Sequence, residues 1–131
     1  MFEDLCDEND LEFTEHRLRV HVLTLKKSGD VESLFRLYGL MAKVLAQRGN
    51  HLKAQDALND ADFLLVENSW RGTVQEIWGH YDRALVFKEL GRTQIALRNL
   101  ETAESLLKDY SPQDVRDCLA EAKLELERLD A

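Results

Sequence analysis

An internal repeat with a period of 42 residues restricts the fold of this sequence more than any other feature. The stretch AKVLAQRGNHLKAQDALNDADFLL at 42–65 returns in divergent form as ALVFKELGRTQIALRNLETAESLL at 84–107. The aligned pairs that are identical are Ala42 and Ala84, Val44 and Val86, Gly49 and Gly91, Ala54 and Ala96, Leu58 and Leu100, Ala61 and Ala103, Leu64 and Leu106, and Leu65 and Leu107. Their intervals are those of one helix face, and each copy has a central glycine. The repeat therefore predicts two copies of a helix, a turn and a second helix.

Helix start signals extend this pattern to six helices. Residues suited to N-caps precede five of them, namely Asp10, Asp30, Asn50, Thr73 and Ser111. Thr73 and Glu76 have the spacing of a capping box, and the fifth helix is predicted to run from Thr93 to about Tyr110. The sequence thus predicts an all-α fold, a right-handed stack of six antiparallel helices. We expect one domain over residues 10–131 and an acidic, flexible N-terminal tail over residues 1–9.

The negative charge is concentrated at the N-terminus and leaves the rest of the chain close to neutral. The net charge is −8, and the first 15 residues hold seven acids and no Lys or Arg. The remainder keeps 18 of the 25 acids against all 17 bases. Nucleic-acid binding needs a clustered basic excess, so it is disfavoured. The acidic start does not fit a signal peptide, and no apolar run is long enough for a membrane span, so we expect a cytoplasmic protein without a membrane contact.

The two repeats resemble the tetratricopeptide repeat family, whose helical pair has the pattern W-x2-L-G-x2-Y followed by small and aromatic positions. With Gly49 and Gly91 as anchors, the family positions are filled by Tyr38, Met41, Ala42, Leu45, Ala54, Leu58 and Ala61, and by His80, Arg83, Ala84, Phe87, Ala96, Leu100 and Ala103. The small positions match and the large ones diverge. The 42-residue period exceeds the usual period of about 34 residues and is similar to the longer repeats of kinesin light chains. Two full repeats with flanking helices are what this resemblance implies.

The resemblance also implies a concave groove lined by the first helix of each repeat. The groove residues that it assigns are Arg36, Lys43, Gln47, Trp78, Tyr81, Leu85, Lys88 and, from the last helix, Lys123. Arginine and aromatic side chains carry much of the energy of protein interfaces, so we expect a protein or peptide partner with acidic and apolar side chains. The alternative, in which Trp78 and Tyr81 pack as core between the helices, remains open.

Motifs for catalysis or for a cofactor are not found in this sequence. It has no GxGxxG, GxxxxGK[ST], GxSxG or HExxH motif, and its histidines are not spaced as metal ligands. Cys6 and Cys118 have no CxxC spacing, and we expect inert thiols. We therefore expect a non-enzymatic interaction protein with neither cofactor nor metal. A second hypothesis is a scaffold that self-assembles through its first or last helix, as a homodimer for example, because Phe13 and Val20 lie off the core stripe of the first helix.

Overall fold

The computed structural model describes residues 10–130, which form six α-helices. Their bounds are α1 Leu11–Ser28, α2 Val31–Gln47, α3 His51–Glu67, α4 Val74–Glu89, α5 Thr93–Ser105 and α6 Gln113–Asp130. No strand occurs in this part of the chain, so the predicted all-α class is confirmed for it. The predicted acidic tail, residues 1–9, lies outside the described residues.

Three of the predicted N-caps hold the starts of α1, α2 and α3. The side-chain oxygens of Asp10, Asp30 and Asn50 accept hydrogen bonds of 3.0 to 3.2 Å from the backbone amides of Phe13, Ser33 and Lys53. Each bond satisfies an amide that lacks a partner within its own helix. After α1, Gly29 adopts a left-handed φ of 76°, a conformation that favours glycine. Local sequence therefore determines where these helices begin and where α1 ends.

The start of α4 differs from the predicted capping box. The Thr73 side chain makes no capping bond to the first turn and instead donates to the carbonyl oxygen of Trp70. The Glu76 carboxylate accepts from the amide of Gly72 at 2.9 Å, one residue before the cap that the motif requires. Both side chains stabilise the turn that precedes α4, so the capping-box interpretation was wrong.

Helix α5 is shorter than predicted, because it ends at Ser105 and not near Tyr110. The amides of Leu106 and Leu107 each donate to a carbonyl three residues earlier at 3.1 Å, which tightens the last turn. Beyond it, the amide of Lys108 donates to the Ser111 hydroxyl oxygen at 2.8 Å. The segment leading to α6 is thus a hydrogen-bonded turn.

Packing pairs α2 with α3 and α4 with α5, as the repeat predicts, and these pairs are joined through α2 and α4. The flanking α1 packs on α2, and α6 packs on α5 and α4. The predicted small positions are all buried, namely Ala54, Ala61, Ala96 and Ala103. Small side chains allow the helices to approach closely, and the short connections make consecutive helices antiparallel. The right-handed sense of the stack stays a prediction.

Two glycines within helices allow α2 and α4 to lie close together. A Cβ atom added at Gly39 would lie 2.4 Å from Oδ2 and 2.9 Å from Cβ of Asp82. A Cβ atom added at Gly79 would lie 3.1 Å from Cζ of Phe35. Each glycine thus receives a side chain of the opposite helix where other residues would present a Cβ. This close approach brings together the side chains of the candidate site.

Candidate functional site

The predicted groove residues are Arg36, Lys43, Gln47, Trp78, Tyr81, Leu85, Lys88 and Lys123. All of them except Lys123 form, together with Glu125 of α6, what we call the α2–α4–α6 face. All eight predicted residues are half-buried. On α4 the predicted positions follow one another at intervals of three, four and three residues, and on α2 at seven and four, which are the intervals of one helix face. The face therefore offers side chains that are held by neighbours but still accessible.

At the centre of the face, α2 and α4 join through a guanidinium stacked on an indole. The Arg36 Cζ atom lies 4.2 Å from the centroid of the Trp78 ring. Tyr81 meets the Trp78 ring edge-on, with the ring centroids 5.5 Å apart and an interplanar angle of 76°. A cation over an aromatic face is attracted by the negative potential of the ring. The structure thus brings three of the predicted residues into one platform.

Asp82, which the sequence analysis did not select, lies beside Arg36. The residue Asp82 is 8% exposed, and its Oδ2 atom lies 3.3 Å from Nε of Arg36. The Nε atom is itself buried and makes no hydrogen bond, so the contact is an ion pair. In the repeat alignment Asp82 corresponds to Leu40. An acid in a position where the other copy has leucine is the signal that could have identified it.

The positive charge expected on the α2–α4–α6 face is partly balanced by acids. Nζ of Lys88 lies 2.6 Å from Oε1 of Glu125 on α6. The hydrogen bond from Lys88, with a smaller effect of the Lys43 charge, holds the pKa of Glu125 below its usual value. Gln47 donates to Glu89 at 3.5 Å. Cations of the face are thus paired with carboxylates, so the face carries less net positive charge than the basic groove that the sequence predicted.

Lys123 lies apart from the other seven residues. Its Nζ atom is 3.5 Å from Oε2 of Glu104 on α5. The partner of Lys88, Glu125, is two positions further along α6, and residues two positions apart on a helix point to nearly opposite sides. The structure therefore places Lys123 at the boundary between α5 and α6, away from the platform of Arg36 and Trp78.

The groups around Tyr81 make its hydroxyl a weaker acid than that of an ordinary tyrosine. Burial, together with the charges of Cys118 and Asp82, raises the pKa of Tyr81 to about 12 from an ordinary value of 10.0. Burial and the acidic side chain of Glu121 also raise the pKa of the Cys118 thiol. Since the thiolate is the reactive form of cysteine, this thiol is a poor nucleophile.

We expect Tyr81 to titrate near pH 12 in the folded protein. Because the folded state holds the phenol proton more tightly than the unfolded state, its contribution to stability is complete below about pH 10 and is lost as the pH rises through about 12. The measurement is the ultraviolet absorbance of tyrosinate in the wild type minus that in Tyr81→Phe. A difference midpoint near the ordinary value would show that the Tyr81 hydroxyl is solvated.

Residues 10–130 offer neither a cluster of metal-binding side chains nor a helix that could span a membrane. No group of three or more His, Cys, Asp or Glu side chains in this range is arranged to hold a metal ion. Each helix in the same range is too short or too polar to cross a bilayer.

Comparisons with protein-family models, curated proteins and solved structures give no match to this chain. The resemblance to tetratricopeptide repeats therefore rests on the motif positions in the sequence and stays a prediction.

Proposed function

We propose that this protein is a non-catalytic interaction module of the tetratricopeptide-like kind, which binds a segment of a partner protein along the α2–α4–α6 face. The observation that carries the proposal is the half-exposed platform of Arg36, Trp78 and Tyr81. Arginine and the large aromatic residues are the residue types most enriched among the energetic centres of protein interfaces. Here they lie adjacent on two helices and not on a loop.

The platform is ordered before any partner binds, which favours binding. Asp82 fixes one edge of the Arg36 guanidinium, and Trp78 supports its flat surface. A side chain that is already held loses less conformational freedom on association. The Arg36 side chain remains 34% exposed, so part of the guanidinium is open to an incoming acceptor. A carboxylate of the partner is the acceptor that a guanidinium binds best.

The remaining positions define the partner as a segment with both acidic and apolar side chains. Leu85 continues the line of Trp78 and Tyr81 along α4 and offers an apolar contact. Lys43 supplies positive charge from α2 close enough to affect Glu125. In line with the sequence prediction, we assign the module to the cytoplasm and assign it neither nucleic acid, membrane nor cofactor as a partner.

Selection from a displayed random-peptide library, followed by mapping of the bound peptide by NMR, tests this proposal. We expect enriched peptides to contain an acidic residue beside an aromatic or aliphatic one. Their binding should shift the amide resonances of α2 and α4 around Arg36 and Trp78. Enriched peptides that shift only resonances of α3 or α5 would contradict the proposal, and so would a library that yields no binder.

Salt should weaken the selected peptides only in part. Raising the ionic strength to about 0.5 M screens exposed charges at distances beyond a few ångströms, while the aromatic contacts persist, so we expect affinity to fall several-fold and not to vanish. Lys43→Gln should reduce the salt dependence. The matched control is Lys108→Gln, at an exposed lysine in the turn before α6, which should leave the dependence unchanged. If wild type and Lys43→Gln have the same salt dependence, Lys43 does not interact with the bound peptide.

A further inference from the structure

A second surface, unrelated to the α2–α4–α6 face, lies on the outward side of α1. Its apolar side chains are strongly exposed, with Phe13 at 51%, Val20 at 48% and Leu23 at 61%. Together with the exposed His16 and Lys27 they form a stripe, which we call the α1 seam, with successive intervals of three, four, three and four residues. This is the spacing by which a helix presents one edge to a second helix in a coiled coil.

The opposite side of α1 is buried against the rest of the chain. Thr14 and Leu18 are 0% exposed and Val22 is 8% exposed, in contact with the core that α1 shares with α2. The carboxylate of Glu15 receives hydrogen bonds from Arg19 and, at 2.7 Å, from Arg48 after α2. Burial acts against ionisation of Glu15, but these two bonds prevail and lower its pKa. The orientation of α1 is thus fixed, and the seam points away from the core.

Other exposed apolar residues of the described chain do not form a comparable seam. Leu124 and Leu129 on α6 are both 58% exposed, but five residues separate them, which places them on different sides of the helix. On α3, Leu52, Phe63 and Val66 share one side of the helix, but the residues on that side between Leu52 and Phe63 are the polar Asp56 and Asn59. Three apolar side chains at seven- and three-residue intervals therefore distinguish α1.

We propose that the α1 seam binds the α1 seam of a second copy of this chain, with the two helices antiparallel. The charges of α1 determine this orientation. The first turn of α1 carries the exposed Glu12, and its last turn carries the exposed Lys26 and Lys27. Antiparallel pairing places the acidic start of each helix beside the basic end of the other, whereas parallel pairing would oppose like charges. The surface is self-complementary, as a two-fold symmetric dimer requires.

The seam residues fit one another in this arrangement. With the two-fold axis at Val20, each Val20 contacts the Val20 of the second copy. Phe13 then lies opposite Lys27 of the second copy and can pack on its aliphatic stem. Leu23 lies opposite Arg17, whose guanidinium is 5.4 Å from the Phe13 ring centroid of its own helix. Each apolar side chain thereby gains a cover that it lacks in a single chain.

The contact is small, so the dimer is concentration-dependent. Each α1 has 18 residues and is about 27 Å long, and two such helices bury an area at the lower end of specific interfaces. We therefore expect a weak dimer that dissociates on dilution. Sedimentation velocity of the full chain from about 10 µM to 1 mM should show a monomer that converts to a dimer.

Val20→Glu should abolish the dimer, because it places two carboxylates at the symmetry axis. Since Val20 is exposed, the variant should melt at the temperature of the wild type. The matched control is Leu124→Glu, at an apolar residue of α6 that is 58% exposed, and this variant should dimerise normally. A wild type that stays monomeric at 1 mM, or a Val20→Glu variant that still dimerises, would overturn the proposal. Loss of the dimer in Leu124→Glu would do so as well, because it would assign the contact to α6.

The orientation is tested by reversing charges at both ends of α1. Glu12→Lys and Lys27→Glu should each weaken an antiparallel dimer about tenfold, by creating like-charge contacts, and the double variant should restore it. In a parallel dimer each residue faces its own copy, so neither single variant would change the association. Unchanged association in both single variants would therefore overturn the antiparallel arrangement. The result is independent of peptide binding, since no residue of the α2–α4–α6 face is altered.

Discussion

Replacement of Trp78 by alanine is expected to reduce the affinity for a selected peptide by about thirtyfold or more. Truncation of an aromatic residue at the centre of an interface often costs about 2 kcal/mol or more, and each 1.4 kcal/mol corresponds to about a factor of ten in affinity. The loss should be large here because Trp78 also supports the Arg36 guanidinium at 4.2 Å. The measurement is isothermal titration calorimetry with the best peptide from the library.

Two further variants separate the contact from an effect on folding. Phe63→Ala removes an aromatic side chain that is 66% exposed on α3 and should leave the affinity unchanged. Arg36→Lys keeps the charge but loses the flat guanidinium, and it should weaken binding at unchanged helical content. If Trp78→Ala retains the melting temperature and binds as tightly as wild type, the α2–α4–α6 face is not the binding site.

Gly39→Ala is expected to destabilise the protein although alanine is the better helix former. The added Cβ would meet Asp82 at 2.4 Å from Oδ2 and 2.9 Å from Cβ, so either α4 or the ion pair with Arg36 must move. Overpacking of this kind costs about 1 to 3 kcal/mol, against a gain of about 1 kcal/mol in helix propensity. The two ranges leave a net loss of about 0 to 2 kcal/mol. The contact with Cβ of Asp82, which cannot rotate away as the carboxylate can, places the expected loss at about 2 kcal/mol, measured by denaturant unfolding.

Gly79→Ala is the matched control, because it makes the same substitution across the same helix contact. There the nearest neighbour is Cζ of Phe35 at 3.1 Å, which has to yield by only a few tenths of an ångström. We expect this variant to be as stable as wild type or slightly more so. If Gly39→Ala is also as stable as wild type, the close approach of α2 to α4 at Asp82 is incorrect.

The features that the sequence could predict are those governed by residues close to one another along the chain. The N-caps at Asp10, Asp30 and Asn50 each bond an amide three residues later, so the starts of α1, α2 and α3 followed from local patterns. The buried alanines followed from the repeat. The residues of α2 and α4 on the candidate face were selected through the family resemblance and not through a local pattern.

The features that could not be predicted depend on contacts between distant residues. Asp82 is buried because α2 offers it Arg36 and the open space of Gly39, and neither is near it in sequence. Glu125, which lies on α6, balances the positive charge of Lys88 on α4. Helix periodicity contains no information about such partners.

The ion pair of Arg36 with Asp82 and the stacking of Arg36 on Trp78 both join residues of different repeats. Arg36 comes from the first repeat, while Trp78 and Asp82 come from the second. The two repeats have different residues at these positions, since Trp78 aligns with Arg36 itself and Asp82 aligns with Leu40. Neither copy alone holds a platform, and a chain of identical copies would not hold one either. The platform therefore depends on the differences between the two repeats, which make their facing positions complementary.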